Sequence, residues 1–494
     1  MERGMYVIGV DVGTTGTKAL LVDCDGKVCG RGYQGYPTFP GQEGTVEQRA
    51  EDWLEAVISS IRQACEGYER AQITALSLST QGASSVLVDR KFHTLGRAIT
   101  WMDMRAVKEQ GELQKKQAEG YYYRTTGWEI GANLDACKLL WLKKNRPEDM
   151  KRAYRFVSTL EYINYCLTGN DVIDPTNAAI RQMMDVRTQK WDERILKDIG
   201  VFQGLLPKIR PTGAFVGTLT VNAASALGLP EETRVYNGAH DQYCCAIGSG
   251  SVENGDLLLG TGTAWAVMSI TDRPLASKSR IAFARHVVPG LWGALTSVSF
   301  GGITLDWFKD QVAGLGYDEI AKGVAEQMGK EENVMFFPYF NGSVNPVRDE
   351  KIRGTFTGLE LRHDKFTMAT AVMEGVVFHT AMVLEDYKAN GASIKKLRVM
   401  GGALNSREWL KMLRATLDCE ILAVRQRDAA PMGAAMIAAV ESGVYEDYRQ
   451  ASRHMISLEA VEDVTQEEKI FYHNKFHAYL KRWDKVRLIY HEKG

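Results

Sequence analysis

Tyr6-Val-Ile-Gly-Val-Asp-Val-Gly-Thr-Thr-Gly-Thr-Lys-Ala-Leu-Leu-Val-Asp23 is the stretch that decides the fold. It predicts an apolar strand, a Gly/Thr turn and a second apolar strand, which is the pattern of a β-hairpin. A similar stretch, Asp256-Leu-Leu-Leu-Gly-Thr-Gly-Thr-Ala-Trp-Ala-Val-Met-Ser269, follows about half a chain later. The repeat indicates two related domains, each opening with a glycine-turn hairpin.

Helical and strand patterns alternate through the rest of the chain. Apolar residues at helical spacing predict helices over residues 50–66, 135–144, 372–387 and 431–440, and a surface helix over 467–484. Short apolar runs predict strands over residues 73–78, 85–88 and 397–400. Strands that alternate with helices in this way favour an α/β protein.

The composition is that of a globular protein: of 494 residues, 45% are hydrophobic and 24% charged, which excludes whole-chain disorder. Lys and Arg number 60 and Asp and Glu 61, and this balance argues against a nucleic-acid partner. The 8 cysteines form no Cys-x-x-Cys pair, which favours reduced thiols in a cytoplasmic protein. The first residues lack a signal peptide's apolar stretch, so we expect no signal peptide. Glycines and Pro289 interrupt the longest uncharged stretch, so we expect no membrane span.

The first Gly/Thr turn, Gly13-Thr-Thr-Gly-Thr-Lys18, is a candidate phosphate site. Its glycines let backbone N–H groups converge on an anion, and its threonine hydroxyls add donors. Lys18 either adds positive charge or points to solvent. One such turn is usually an ordinary hairpin, whereas two matching turns could clamp one phosphate chain between two domains. Asp11, just before the turn, is a candidate Mg²⁺ ligand because Mg²⁺ prefers oxygen ligands.

Several segments together resemble the FGGY carbohydrate kinases, a family of the actin-like ATPase superfamily. The segments resembling its two phosphate motifs are Gly9-x-Asp11-x-Gly13-Thr-Thr-x-Thr17 and Gly260-Thr-Gly-Thr263. Those resembling its sugar-site segment and its catalytic-aspartate segment are Trp101-Met-Asp103-Met-Arg105 and Asn237-Gly-Ala-His-Asp241. Residues 354–375 resemble its C-terminal signature, and residues 400–406 resemble its adenosine loop. The matches run from residue 6 to about 440 in the family's order.

The segments that select the sugar depart from the family's patterns. Gln81 is followed by Gly-Ala where xylulokinases usually have Met-His-Gly, and residues 342–346 read Gly-Ser-Val-Asn-Pro instead of Gly-Glu-Arg-x-Pro. Asn133, Asp135 and Thr367 replace the usual residue types, and the Arg-Glu pair of glycerol kinases is absent. These differences leave the ATP chemistry intact and leave the identity of the sugar open.

The resemblance implies two actin-like (ribonuclease H-like) α/β domains with a central cleft. Residues 1–248 would bind the sugar, and residues 249–494 would bind ATP. The implied reaction is ATP-dependent, Mg²⁺-assisted phosphorylation of a sugar or polyol hydroxyl. We expect a ketopentose such as xylulose as the acceptor, with gluconate, erythritol and a glycerol-like polyol as alternatives. The oligomeric state is open, a homodimer included.

The resemblance also assigns roles to residues. Asp241 is the expected general base and, with Asp11, the expected metal site. The expected substrate-binding residues are Gln81, Gly82, Trp101, Asp103, Arg105 and Asp241. The expected nucleotide-binding residues are Gly13, Thr14, Thr15, Thr17, Lys18, Gly260, Thr261, Gly262, Thr263, Gly302, Gly401, Gly402, Ala403 and Asn405. Trp101 either stacks on the sugar or closes the core, and Arg105 contacts the sugar or pairs with a carboxylate. His240 is expected to be a structural imidazole.

Two other classes of function share part of this pattern. An actin-like ATPase that works as a chaperone or filament would not need the polar segment around Asp103. A sugar sensor without catalysis would not need Asp11, Asp241 and both turns. His473 and His477 have the spacing of metal ligands on a helix, but no third ligand is visible, so we expect a solvated helix face.

Overall fold

The computed structural model describes residues 5–117 and 120–491, and its first large sheet is built around the N-terminal hairpin. The strands of this sheet are β1 (Tyr6–Val12), β2 (Gly16–Asp23), β3 (Val28–Gly35), β4 (Ile73–Thr80), β5 (Phe215–Thr218) and β6 (Arg234–His240). Their order is β5-β6-β4-β1-β2-β3. The strands β1, β2 and β3 pair antiparallel, whereas β1, β4 and β6 pair parallel. Most of β1 is buried, which explains why it is a continuous apolar run rather than an alternation.

The second large sheet repeats this arrangement. Its strands are β7 (Asp256–Thr261), β8 (Trp265–Thr271), β9 (Ala282–Arg285), β10 (Trp292–Val298), β11 (Lys396–Gly401), β12 (Glu420–Val424) and β13 (Leu458–Ala460). Their order is β9-β10-β8-β7-β11-β12-β13. The strands β7, β8 and β10 pair antiparallel, and β7, β11 and β12 pair parallel. Both hairpins predicted from the sequence are therefore present, and each opens the same succession of strand pairs.

Helices cover both sheets, and the predicted α/β class is confirmed. The α-helices are α1 (Ala50–Ala64), α2 (Val107–Lys116), α3 (Tyr121–Thr126), α4 (Asp135–Asn145), α5 (Pro147–Arg152), α6 (Thr159–Thr168), α7 (Pro175–Ile180), α8 (Glu193–Ile199), α9 (Val221–Leu227), α10 (Asp241–Gly248), α11 (Gly302–Trp307), α12 (Tyr317–Gln327), α13 (Lys365–Ala389), α14 (Arg407–Thr416), α15 (Ala429–Glu441), α16 (Tyr448–Met455) and α17 (Gln466–His491). A smaller sheet joins the strands Phe39–Pro40, Val46–Gln48, Ala98–Ile99, Ser85–Val88 and Arg155–Ser158. The helices predicted from the sequence are all present, and α13 and α17 are longer than predicted.

Helix α15 lies directly against β1 and α10, and glycines make this contact possible. A Cβ atom on Gly9 would lie 1.9 Å from the Pro431 carbonyl oxygen. A Cβ atom on Gly433 would lie 2.0 Å from the Cys244 carbonyl oxygen. No side chain tolerates such distances, so the glycines permit backbone-to-backbone packing. The close contacts pack α15 between α10, which follows β6, and strand β1 of the first sheet.

Helix α13 is the core helix of the C-terminal half. It is long and apolar enough to cross a membrane, with a mean hydropathy of 1.4. However, 94% of its most apolar window is buried inside the protein. Residues such as Val376, Phe378 and Val383 pack in the same core as β7. Its composition is therefore that of a buried core helix.

The prediction of a surface helix near the C-terminus is correct for only one face of α17. The other face is buried, and its residues are Tyr472, Phe476, Tyr479, Trp483 and Val486. Their spacing of three or four residues places them on one side of the helix. The sequence pattern is thus that of an amphipathic helix, and the apolar face of this helix packs on the core.

A buried ion pair fixes α17 to α13, and we expect its loss to be costly. Glu374 is 2% exposed and its carboxylate lies 2.7 Å from the Lys475 ammonium. Lys475→Met would leave the carboxylate buried without its partner, at a cost of about 3–5 kcal/mol in the free energy of unfolding. Chemical denaturation at pH 8 measures this loss.

The same variant should regain stability on acidification. Burial raises the pKa of Glu374, and Lys475 opposes the rise. Without Lys475 the pKa rises further above its unfolded value, so stability is present at low pH and is lost as the pH rises through the folded pKa. We therefore expect a smaller defect at pH 5 than at pH 8. Glu374→Gln/Lys475→Met should remove this pH dependence, and an equal defect at both pH values would contradict the argument.

Candidate functional site

The first Gly/Thr turn connects β1 to β2 and brings three charged groups to one place. In the sheet register Asp11 lies opposite Lys18 on β2 and beside Ser79 on β4. The Ser79 hydroxyl donates to Asp11 Oδ1 at 2.7 Å. Lys18 Nζ lies 3.1 Å from Asp428 Oδ1, just before α15, and its side chain is 49% exposed. Lys18 is therefore half-exposed, and its ammonium group is paired with Asp428 in this structure.

Asp241 is the first residue of α10, directly after β6. Its Oδ1 atom is buried and has no hydrogen-bond partner among the described residues. His240 Nε2 lies 3.2 Å from that oxygen, but the two groups are not aligned for a hydrogen bond. Gly82 allows this approach, since a Cβ atom there would lie 2.5 Å from the His240 ring. The predicted residues Gly82 and Asp241 thus both lie beside the Nε2 edge of the His240 ring.

Asp11 and Asp241 interact electrostatically. Burial and, to a smaller extent, the nearby Asp241 charge raise the pKa of Asp11 to about 7, although the Ser79 hydrogen bond opposes the rise. Two carboxylates that repel one another, one with an unpartnered oxygen, suit a divalent cation. Within residues 5–117 and 120–491 no group of three or more His, Cys, Asp or Glu side chains could hold a metal ion. A magnesium ion at this pair would therefore take its remaining oxygens from phosphate and water, as Mg²⁺ commonly does.

Gln81 follows β4 and is almost fully buried, at 1% exposed. Its backbone N–H donates to the Val12 carbonyl at 2.9 Å, which places it beside the end of β1. Its side-chain Nε2 donates to Gln48 Oε1 at 3.0 Å. Its Oε1 atom is buried without a partner in the described part of the chain. Gln81, a predicted substrate-binding residue, therefore has one side-chain oxygen that is available to accept a hydrogen bond.

Trp101 borders a cavity of about 920 Å³, which we call the cleft cavity. The indole is 42% exposed, so it does not close the core. Its Nε1 donates to Thr14 Oγ1 at 2.9 Å, in the first Gly/Thr turn. Residues from both halves of the chain line the cavity, among them Trp101, Trp128, Gln242, Lys278, Arg280 and Arg348. The exposed ring face is thus available to a ligand in the cleft.

Asp103 and Arg105 lie behind this surface and pair with one another. Asp103 is fully buried, and its Oδ1 accepts from the backbone N–H and the Nε of Arg105, each at 2.9 Å. Its Oδ2 accepts from Val46 N and from Arg105 Nη2. Arg105 also reaches Glu47 at 2.8 Å and is held over the Trp141 ring. Both carboxylate oxygens carry two donors, so no lone pair is left for a sugar hydroxyl. Of the two alternatives for Arg105, the structure contains the carboxylate pair.

The second Gly/Thr turn borders a separate cavity of about 540 Å³, the candidate nucleotide cavity. The predicted residues that line it are Thr261, Gly262, Thr263, Gly302, Gly402, Ala403 and Asn405. Thr261 Oγ1 donates to the Met400 carbonyl at 2.7 Å and accepts from Ala403 N at 2.9 Å. Gly401 adopts a φ of 95°, where a side chain would be strained. The Thr261 hydroxyl therefore connects the second turn to the predicted adenosine loop through two hydrogen bonds.

Sequence reasoning missed several residues of these sites. Gln48 contacts both Gln81 and the first turn, and Trp128 and Gln242 line the cleft cavity. Asp306 and Tyr317 line the candidate nucleotide cavity and are joined by a hydrogen bond. Their positions follow from contacts between distant segments, and no local pattern marks them.

Comparison with known proteins agrees with this geometry. The profile of the FGGY family of carbohydrate kinases, N-terminal domain, matches residues 6–248, and that of its C-terminal domain matches residues 257–442. A xylulose kinase of Bacillus subtilis (strain 168) is 27% identical over 91% of this chain and 91% of its own length. A gluconokinase of the same organism is 26% identical over 90% of each chain. The crystal structure of ligand-bound xylulose kinase from Lactobacillus acidophilus superposes with a TM-score of 0.91 at 26% identity, covering 98% of this chain and 99% of that chain. The chain belongs to the FGGY family of carbohydrate kinases, with their two-domain actin-like fold.

Proposed function

We propose that this carbohydrate kinase transfers the γ-phosphoryl group of ATP to a hydroxyl of a ketopentose such as xylulose, with Asp241 as general base. The observation that carries the proposal is the Asp241 carboxylate at the start of α10, near Asp11 at the first Gly/Thr turn, whose Oδ1 has no hydrogen-bond partner in residues 5–117 and 120–491. Phosphoryl transfer depends on positioning and charge neutralisation, and a carboxylate there can orient the acceptor hydroxyl. The sugar would bind in the cleft, mainly to residues 1–248, and ATP would bind mainly to residues 249–494.

The chemical step moves one proton and one phosphoryl group. The acceptor hydroxyl oxygen forms a bond to the γ-phosphorus, and the bond from that phosphorus to the bridging oxygen of ADP breaks. ADP leaves with the electron pair of the broken bond. The hydroxyl proton passes to the Asp241 carboxylate, which must be ionised beforehand.

Asp11, with Asp241, would hold the magnesium ion that accompanies ATP. The ion neutralises phosphate charge when it is bound. The protein's contribution is the rigid placement of Asp11, because β1 is paired on both sides and Ser79 holds Oδ1. Lys18 would meet the phosphates only after leaving Asp428.

The nucleotide would occupy the cavity beside the second Gly/Thr turn, and Gly402→Val tests this assignment. A Cβ atom on Gly402 would lie 3.3 Å from the Thr261 carbonyl oxygen, so a small shift accommodates it. The added methyl groups would then fill part of the cavity. We expect the KM for ATP to rise about tenfold or more, since tenfold corresponds to about 1.4 kcal/mol of lost binding. The KM for the sugar should change less than twofold, and equal rises in both constants would contradict the assignment.

Gluconate is the second candidate acceptor. A gluconokinase matches the chain almost as well as a xylulose kinase does. In addition, Lys278, Arg280 and Arg348 line the cleft cavity and would favour a carboxylate. Arg280 is already paired with Glu129, which also lines the cavity, and this pairing reduces the free positive charge there. The ketopentose therefore remains the first proposal.

The test is ADP release with Mg²⁺-ATP and one acceptor at a time. The panel contains D-xylulose, D-gluconate, erythritol and glycerol. The proposal expects the highest kcat/KM with D-xylulose. A higher value with D-gluconate would select the second candidate, and no acceptor-dependent ADP release with any of them would refute the proposed reaction.

We also propose a cellular location and a class of partner. The composition supports a cytoplasmic enzyme that acts on small molecules without a nucleic-acid or membrane partner. A homodimer is compatible with this function. Light scattering of the purified chain would test the oligomeric state.

A further inference from the structure

Gln48 is a buried residue whose side chain makes hydrogen bonds to four other residues. It ends the strand Val46–Gln48 and is 0% exposed. Its Nε2 donates to the Thr14 carbonyl at 2.7 Å and to Thr38 Oγ1 at 2.9 Å. Its Oε1 accepts from Trp53 Nε1 and from Gln81 Nε2, each at 3.0 Å. The amide group thus uses both of its donors and both of its lone pairs.

The orientation of the Gln48 amide follows from its partners. An indole nitrogen is only a donor, so Trp53 requires the oxygen of Gln48 to face it. The same oxygen then requires Gln81 to present its NH₂ group. The carbonyl oxygen of Gln81 is therefore turned the other way, where it is buried without a protein partner in residues 5–117 and 120–491. A buried acceptor of this kind is costly unless a ligand donates to it.

Two routes lead from the predicted sugar residues to the phosphate turn, and both end at Thr14. Gln81 reaches the Thr14 carbonyl through Gln48. Trp101 reaches the Thr14 hydroxyl directly, at 2.9 Å. An acceptor that contacts Gln81 and Trp101 would thus be connected, through these hydrogen bonds, to the turn that is predicted to bind phosphate. This arrangement is suited to coupling the two substrates.

We propose that Gln48 is a positioning residue: it orients the Gln81 carbonyl toward the acceptor and ties the acceptor site to Thr14. The inference rests on the proposed function, because it requires an acceptor that donates a hydroxyl hydrogen bond to Gln81. It selects a hydroxyl over a carbonyl or carboxylate oxygen at that point of the acceptor, since only a donor satisfies Gln81 Oε1. Gln48 itself does not touch the reacting atoms.

Gln48→Met is the test, because methionine has a similar length and makes no amide hydrogen bonds. The acceptor is whichever of D-xylulose, D-gluconate, erythritol and glycerol gives wild type its highest turnover. Without Gln48 the Gln81 amide is free to turn, so the KM for the acceptor should rise about tenfold, as expected for the loss of about one hydrogen bond. The kcat should also fall, since Thr14 loses one of its tethers, while the KM for ATP changes less.

A double-mutant cycle separates positioning from a merely structural role. If Gln48 acts through Gln81, Gln48→Met/Gln81→Met should have the same acceptor KM as Gln81→Met alone. If the two rises in KM multiply, Gln48 does not act through Gln81 and the inference is wrong. An unchanged acceptor KM in Gln48→Met would also overturn it.

Two further variants keep the result interpretable. Gln110→Met is the control, because the Gln110 amide also uses both its nitrogen and its oxygen in hydrogen bonds, to the Ile130 carbonyl and the Ala132 N–H. It should lower the melting temperature without changing the acceptor KM. If Gln48→Met does not fold, Trp53→Phe keeps an aromatic ring in place and removes the N–H that fixes the Gln48 amide, and the acceptor KM must then rise. A wild type with no acceptor-dependent ADP release would refute the proposed function itself, which is a different outcome from an active wild type with insensitive variants.

Discussion

Asp241→Asn should reduce kcat/KM for the acceptor by about 10²- to 10⁴-fold, the range over which general bases contribute to catalysis. Asparagine keeps the shape of the side chain but cannot take the hydroxyl proton. The effect should fall mainly on kcat, because the substituted amide still occupies the same place at the start of α10. Initial rates of ADP release at saturating Mg²⁺-ATP measure the change.

The fold should survive this substitution. The Asp241 side chain is 30% exposed, and its Oδ1 makes no hydrogen bond among the described residues that could be lost. A carboxylate in the first turn of a helix contributes about 0.3–1 kcal/mol through the helix dipole. Glu193→Gln is a matched control, since Glu193 also begins a helix, α8, and its loss should not affect turnover.

Retained turnover in Asp241→Asn would move the general base elsewhere. His240 would be the next candidate, because its Nε2 lies 3.2 Å from Asp241 Oδ1. However, Gly82 packs against this ring and His240 is only 5% exposed, which favours the structural role expected from the sequence. Comparing Asp241→Asn with His240→Gln would distinguish the two assignments.

The sequence was sufficient for the fold because its decisive features are local. A Gly/Thr turn between two apolar runs predicts a hairpin wherever it occurs, and its recurrence about half a chain later predicts the repeat. The register of a hairpin also places Asp11 opposite Lys18. Local spacing could not reveal that Lys18 pairs with Asp428, since these residues are 410 positions apart.

The polar interior of the site was less predictable for the same reason. Asp103 was expected to bind sugar, but Arg105 and Val46 occupy all of its lone pairs. The sequence left open whether Arg105, two residues away, contacts the sugar or pairs with a carboxylate. No sequence pattern marked Gln48 as a site residue, because its hydrogen bonds to residues 14, 53 and 81 form only in the folded chain.

Asp11→Asn should lower activity and raise the stability of the metal-free protein. Burial and the Asp241 charge raise the pKa of Asp11 to about 7, which means that its ionised form is disfavoured in the folded state. Asparagine removes that charge and can still accept the Ser79 hydrogen bond. At pH 8, without divalent cations, we expect the melting temperature to rise by about 2 °C or more, since 1 kcal/mol shifts the midpoint of a domain by roughly 2–4 °C.

Magnesium should reverse the order of the two proteins. If Asp11 holds the ion, Mg²⁺ raises the melting temperature of the wild type through binding to the folded state, and the variant responds little. Turnover of the variant should fall about 10²-fold or more, comparable to the loss of one preorganised electrostatic contact. Asp428→Asn is the matched control, because that carboxylate is already paired with Lys18 and Arg31 and its removal should not stabilise the protein. Equal responses of the wild type and Asp11→Asn to Mg²⁺ would contradict the assignment of the ion to Asp11.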